Sequence, residues 1–120
     1  MNSKTIRIMI VDDDRDLAES LADLLNVFGH EVAIATNGKD ALQRAQADDF
    51  DITFMDVRMP VMNGVDSCLA IKQIKPHARI VMMTGFKEPI LAKATAAGAE
   101  GPLQKPFSPE EMLHVVETVR

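Results

Sequence analysis

The chain has 120 residues, enough for one compact domain with a single core and too few for two. Hydrophobic residues make up 47% and charged residues 26%, a balance that excludes a disordered tail and a membrane-embedded protein. A net charge of −5 argues against direct nucleic-acid binding, which needs clustered Lys and Arg, and the single cysteine, Cys68, rules out an intrachain disulfide and suits a reducing cytoplasm.

The N-terminal stretch MNSKTIRIMIV is too short in its apolar part, and too interrupted by Arg7, for a signal peptide, so residues 6–11 read as the first strand. That strand meets three acids, Asp12, Asp13 and Asp14, the last of which is expected to cap the helix that follows. Leu17, Leu21, Leu24, Leu25 and Phe28 recur at helical spacing and Gly29 supplies the stop. Residues 30–35 form a second strand; Asn37-Gly38 then turns into a helix carrying Ala41, Leu42 and Ala45. The third strand, 51–55, runs straight into Asp56. After the loop with Pro60 and Gly64 a helix bears Val65, Cys68, Leu69 and Ile71 and ends before Pro76. A fourth strand at 79–83 meets Thr84-Gly85, an alanine-rich helix spans 89–97 with Gly98 as its stop, and a short fifth strand covers 101–104. The last helix is announced by Ser108-Pro109-Glu110-Glu111 and buries Met112, Val115, Val116 and Val119 on one face.

Five strand–helix units predict an α/β domain over residues 1–120, a doubly wound parallel sheet with helices on both faces. In such sheets functional groups collect beyond the carboxyl ends of the strands. If strands one and three are neighbours, Asp12 and Asp13 face Asp56, and Thr84 and Lys105 arrive on the same edge. Three carboxylates so close call for a counter-ion, and an all-oxygen set suits Mg²⁺. Metal, ammonium and hydroxyl around a carboxylate are what phosphoryl transfer onto that carboxylate needs. Asp56 is then the nucleophile, Lys105 a charge balance and Thr84 a hydrogen-bond donor.

These residues resemble the receiver domains of two-component response regulators, which are flavodoxin-like. The resemblance rests on VDDD at 11–14, MDVRMPVMNG at 55–64, MTG at 83–85 and KPF at 105–107, and covers essentially the whole chain. It implies the strand order 2-1-3-4-5. It also implies that Asp56 accepts a phosphoryl group from a sensor histidine kinase or a histidine phosphotransfer protein, and that the domain is a regulator with at most self-catalysed phosphotransfer and slow dephosphorylation. Asp13, Asp56 and the Arg58 carbonyl would bind Mg²⁺ directly, with Asp12 acting through a water. Lys105 would pair with the phosphoryl group, and the Lys105-Pro106 peptide is expected to be cis. An output domain or effector protein downstream is implied without being visible, and partner choice is expected on helix one and the loop after Lys105.

One position departs from the pattern. Receivers commonly carry Tyr or Phe three residues before this lysine; here it is Pro102, tolerable only on an edge strand. Activation is then expected to run through the backbone of the loop from Thr84 to Pro89. Pro102 also motivates the alternative of a receiver-like scaffold that signals by contact without phosphorylation. An aspartyl phosphatase of the haloacid dehalogenase type would want an acid where Arg58 stands, and a nucleotide-binding relative would want a Gly- or Ser-rich cradle in place of Asp12 to Asp14. Arg58 is read evenly as a shield for the acyl phosphate or as a plain exposed side chain, and Phe86 as a packing aromatic. Met55, Met82 and Cys68 are expected in the core, and Met59 and Met62 on a docking surface. His30, His77 and His114 are expected at the surface.

Overall fold

The computed structural model describes residues 5–119. Residues 1–4 of the N-terminal stretch, and residue 120 of the expected domain, lie outside the described residues. Strands and helices alternate as β1 (Arg7–Val11), α1 (Arg15–Val27), β2 (Glu31–Ala35), α2 (Gly38–Ala47), β3 (Ile52–Asp56), α3 (Gly64–Ile74), β4 (Ile80–Thr84), α4 (Leu91–Ala96), β5 (Glu100–Gln104) and α5 (Pro109–Glu117). The strands form one parallel sheet in the order β2-β1-β3-β4-β5, the doubly wound arrangement expected.

The central strands β1, β3 and β4 are buried on both faces, and their two-residue period divides their side chains between two cores. Ile8, Ile10, Ile52, Phe54, Val81 and Met83 point to one side, where they meet Ala18, Leu21 and Leu25 of α1 and Met112 and Val116 of α5. Met9, Val11, Met55, Ile80 and Met82 point to the other, against Ala41 and Ala45 of α2, Val65, Cys68 and Ile71 of α3 and Ala94 of α4. Met55, Met82 and Cys68 are therefore core residues, as expected. Met59 is a correction: its side chain packs partly buried against the second core and is no free docking group.

Four helices start on a side-chain cap that accepts from the third backbone N–H: Asp14 from Leu17, Asn37 from Asp40, Asn63 from Asp66 and Ser108 from Glu111. Each such cap contributes about 1 kcal/mol. Helix α4 has none, which is why it is shorter than the expected 89–97: the Leu91 and Ala92 amides bond to Glu88 and Pro89, a tight turn ahead of the helix. His30 also differs from expectation, since it is half-buried and its Nδ1 accepts the Ile6 amide at 3.3 Å.

Pro102 does lie on an edge strand. The register of β5 against β4 slips between Val81 and Met83, at Gly101 (φ +93°) and Pro102, and both the Gly101–Pro102 and Lys105–Pro106 peptides are cis. Among the described residues, no helix is long and apolar enough to cross a membrane.

The connection from β3 to α3 is folded tightly back on the strand end. The Gly64 amide donates to the Val57 carbonyl at 2.8 Å, the Gly38 amide to the Met62 carbonyl at 3.0 Å, and the buried Ser67 hydroxyl to the Gly38 carbonyl at 2.8 Å. A Cβ on Gly64 would stand 1.8 Å from the carbonyl oxygen of Asp56, a clash with backbone that no rotamer relieves. Gly64→Ala is therefore expected to lower unfolding stability in urea by about 2 kcal/mol or more. Gly85→Ala, whose added methyl would meet only the Lys105 Cβ at 3.9 Å, should cost under about 1 kcal/mol.

Candidate functional site

The parallel pairing of β1 with β3, in which Val11 faces Met55, sets the next residues of the two strands, Asp12 and Asp56, side by side. The sequence expectation placed Asp56 and Thr84 just past their strands; they are instead the last residues of β3 and β4, with backbone held by the sheet. Asp12 and Asp56 are buried, 1% and 8% exposed, while Asp13 is open to solvent. One carboxylate oxygen from each of Asp12, Asp13 and Asp56 lies within 4.8 Å of the others.

Lys105 reaches this cluster from two strands away. Its amide donates to the Thr84 carbonyl at 2.8 Å, and its ammonium crosses to Asp12 Oδ2 at 2.6 Å and to Asp56 Oδ1 at 3.5 Å. The other oxygen of Asp12 accepts the Asp14 amide at 2.9 Å. Burial, and then the charge of Asp12, push the Asp56 carboxyl up to about 6, against the pull of Lys105. Burial pulls the Lys105 ammonium down, but its hydrogen bond to Asp12 and the charges of Asp12 and Asp56 outweigh that and hold it above the ordinary lysine value. The donors are all oxygen and the acids crowd one another, so the residues present fit a hard divalent cation.

Beside the cluster a cavity of about 170 Å³ is lined by Asp56, Arg58, Thr84, Gly85, Phe86 and Lys105. The Thr84 hydroxyl, 2% exposed as a residue, donates to the Phe86 carbonyl at 3.0 Å and accepts the Phe86 amide at 3.2 Å. The Arg58 side chain is exposed, as one of its two readings had it, but it is not free: its Nε donates to Glu88 and its guanidinium lies 5.3 Å from the centre of the Phe86 ring. Phe86 stays 63% exposed, a correction to its reading as a packing aromatic, because its ring stacks on an arginine at the surface and enters neither core. Glu88 was not singled out from the sequence; it stands thirty residues from its partner, and spacing along one element carries no sign of such a contact. His77 and His114 are exposed as expected, and Met62 is half-buried with its carbonyl engaged by Gly38.

Comparison with known proteins follows the same lines. The family model for the response regulator receiver domain matches residues 8–117. The chain is 35% identical over 115 residues to the chemotaxis protein CheY of Thermotoga maritima, covering 94% of this chain and 96% of that protein. It is 38% identical over 117 residues to the transcriptional regulatory protein LnrK of Bacillus subtilis, covering 95% of this chain but only 53% of that regulator. A CheY-like response regulator receiver domain protein from Methanospirillum hungatei has the same fold, with a TM-score of 0.91 at 27% identity over 96% of this chain and 93% of that one.

The raised Asp56 carboxyl makes stability depend on pH in a defined sense. Below the unfolded value of 3.8 the group is protonated in both states and costs nothing; as pH rises through about 6 the folded state must ionise it against its surroundings. In metal-free buffer, Asp56→Asn is expected to stabilise the fold by about 2 kcal/mol at pH 7 to 8, with the gain shrinking to nothing near pH 4. Urea unfolding of both proteins across that range measures it, and a pH-independent difference would show that Asp56 ionises as freely folded as unfolded.

Proposed function

Because the chain belongs to the response regulator receiver domain family of two-component signalling, we propose that it acts as a phosphoacceptor at Asp56. The observation that carries this reading is the grouping of three carboxylates within 4.8 Å around a buried strand end, with the Lys105 ammonium on two of them. Asp13, Asp56 and the Arg58 carbonyl would hold Mg²⁺, with Asp12 behind them. When bound, the ion neutralises oxygens of the transferring group and relieves the repulsion among the acids.

The chain's own residues supply the rest. An oxygen of Asp56 attacks phosphorus as the bond from phosphorus to the donor breaks, a P–N bond in a phosphohistidine or a P–O bond in acetyl phosphate, leaving an acyl phosphate. Ionised Asp56 is the reactive form, and its elevated carboxyl value is consistent with an oxygen of raised basicity. Lys105, already 3.5 Å from Asp56, moves its charge from Asp12 toward the new anion. The Thr84 hydroxyl exchanges the Phe86 carbonyl for a phosphoryl oxygen, which biases the loop between two positions.

The donor would be a sensor histidine kinase or histidine phosphotransfer protein in the cytoplasm. A cavity of about 570 Å³ beside Lys105, between Leu17, Leu21 and Leu24 of α1 and Pro106 and Phe107, suits an apolar helix of such a partner. The signal would pass to an output domain or effector protein. Pro102 on β5 favours a second reading, a scaffold that works by contact alone.

Incubation with acetyl phosphate and Mg²⁺ decides between the two. The expected outcome is an intact mass raised by one phosphoryl group, abolished by Asp56→Asn and by chelation of the metal. Lys105→Ala should lower the rate at least about tenfold, and Asp13→Asn should raise the Mg²⁺ requirement by about tenfold or more. A wild-type chain that takes up no phosphoryl group under these conditions, and whose NMR spectra ignore Mg²⁺, is the scaffold.

A further inference from the structure

The loop after β4 is tied at two ends. At one, the Thr84 hydroxyl and the Phe86 backbone close a ring of two hydrogen bonds, 3.0 and 3.2 Å, so the Thr84 hydroxyl is held by Phe86 until these bonds break. At the other, Phe86 has no place in either core and its ring rests under the Arg58 guanidinium at 5.3 Å. That guanidinium is in turn fixed by Glu88, through a hydrogen bond of 2.5 Å. The Arg58 side chain is 71% exposed, but the Glu88 side chain is only 10% exposed. A carboxylate so enclosed cannot simply turn to water when its partner leaves, so the pair has a definite geometry that a fully exposed pair would lack.

These contacts join the segment two residues past Asp56 to the residue that must release its hydroxyl. We infer that Glu88, Arg58 and Phe86 form a latch that holds the Thr84 loop in its resting position and is broken when Asp56 is loaded. The inference rests on the phosphoacceptor reading of Asp56. Glu88 acts as a positioning residue: it does not itself line the cavity, and works by anchoring Arg58, the arginine beside Phe86. The arrangement also fits the lack of an aromatic side chain at position 102, since the aromatic contact that follows Thr84 is then made with Arg58.

The test is the affinity of beryllofluoride with Mg²⁺, followed by NMR titration of the full chain, for wild type, Glu88→Gln and Arg58→Gln. A latch that opposes loading gives tighter binding in both variants, by about two- to fivefold, the size expected of one ion pair with an end in solvent. Amide exchange at Phe86 without ligand should quicken in both as well. Plain electrostatics predicts otherwise, because one variant removes a negative charge near the site and the other a positive one, and their effects on anion binding would then have opposite signs. Opposite signs, unchanged affinity or weaker binding in both variants overturns the latch while leaving phosphoacceptance standing. A wild-type chain that does not bind beryllofluoride overturns the phosphoacceptor reading and the latch with it.

Discussion

Like charge gathered at one buried edge is the constraint around which the rest of the molecule is arranged. Asp12 and Asp56 are almost sealed from water and share one ammonium, and the Asp56 carboxyl is pushed up by its burial and by the charge of Asp12. The fold tolerates this because the strands that carry them are apolar and covered on both faces. Conflict concentrates nearby in the backbone too. Gly64 sits where any side chain would strike the strand end, and the exposed Val61 is held at φ +72°, a left-handed conformation that a β-branched residue seldom adopts. Backbone conflict and crowded acids thus meet at one end of the sheet, beside the candidate site.

The opposite edge of the sheet shows the contrast. There Arg7 grips Asp48 through two nitrogens, at 2.6 and 2.7 Å, and Lys75 meets Asp49. The hydrogen bond from Arg7 holds the Asp48 carboxyl down at about 2. Those pairs are largely exposed, so solvent and salt screen them and their part is to pin the loop between α2 and β3. Lys105 and Asp12 make a pair of similar length with one member 1% exposed, and it is this burial that shields their contact from solvent and salt.

Much of this was legible in the chain. Strand cores, the caps at Asp14 and Ser108, and the core places of Met55, Met82 and Cys68 follow from local pattern, because each is decided by neighbours within a few residues or by burial alone. The strand order is different: nothing in the periodicity orders five similar strands, and it came with the family resemblance. What stayed hidden depends on pairs distant in sequence. The His30 ring on the Ile6 amide, Met59 folded into a core and Glu88 on Arg58 each need the tertiary fold before either partner has a reason to be there. Single strand ends also moved by a residue, which matters only at Asp56 and Thr84, where it converts a loop side chain into one aimed by the sheet.

The route by which a change at Thr84 can leave the site is narrowed by β5. Its residues are exposed except for the half-buried Leu103, its register slips by one residue, and Pro102 offers neither a backbone donor nor a side chain that swings. The side chains of that strand bury little, so its link to Thr84 runs through backbone: the β4–β5 pairing and the hydrogen bond from the Lys105 amide to the Thr84 carbonyl. On the other side the loop runs directly into α4, six residues long and without a side-chain cap, with Ile90 and Leu91 only partly buried against the core. A helix that short and that weakly anchored has little intrinsic stability to resist a shift of the turn before it. Once Phe86 and Glu88 are freed from Arg58, motion begun at Thr84 would meet least resistance along Phe86 to Leu91, toward the surface that α4 presents.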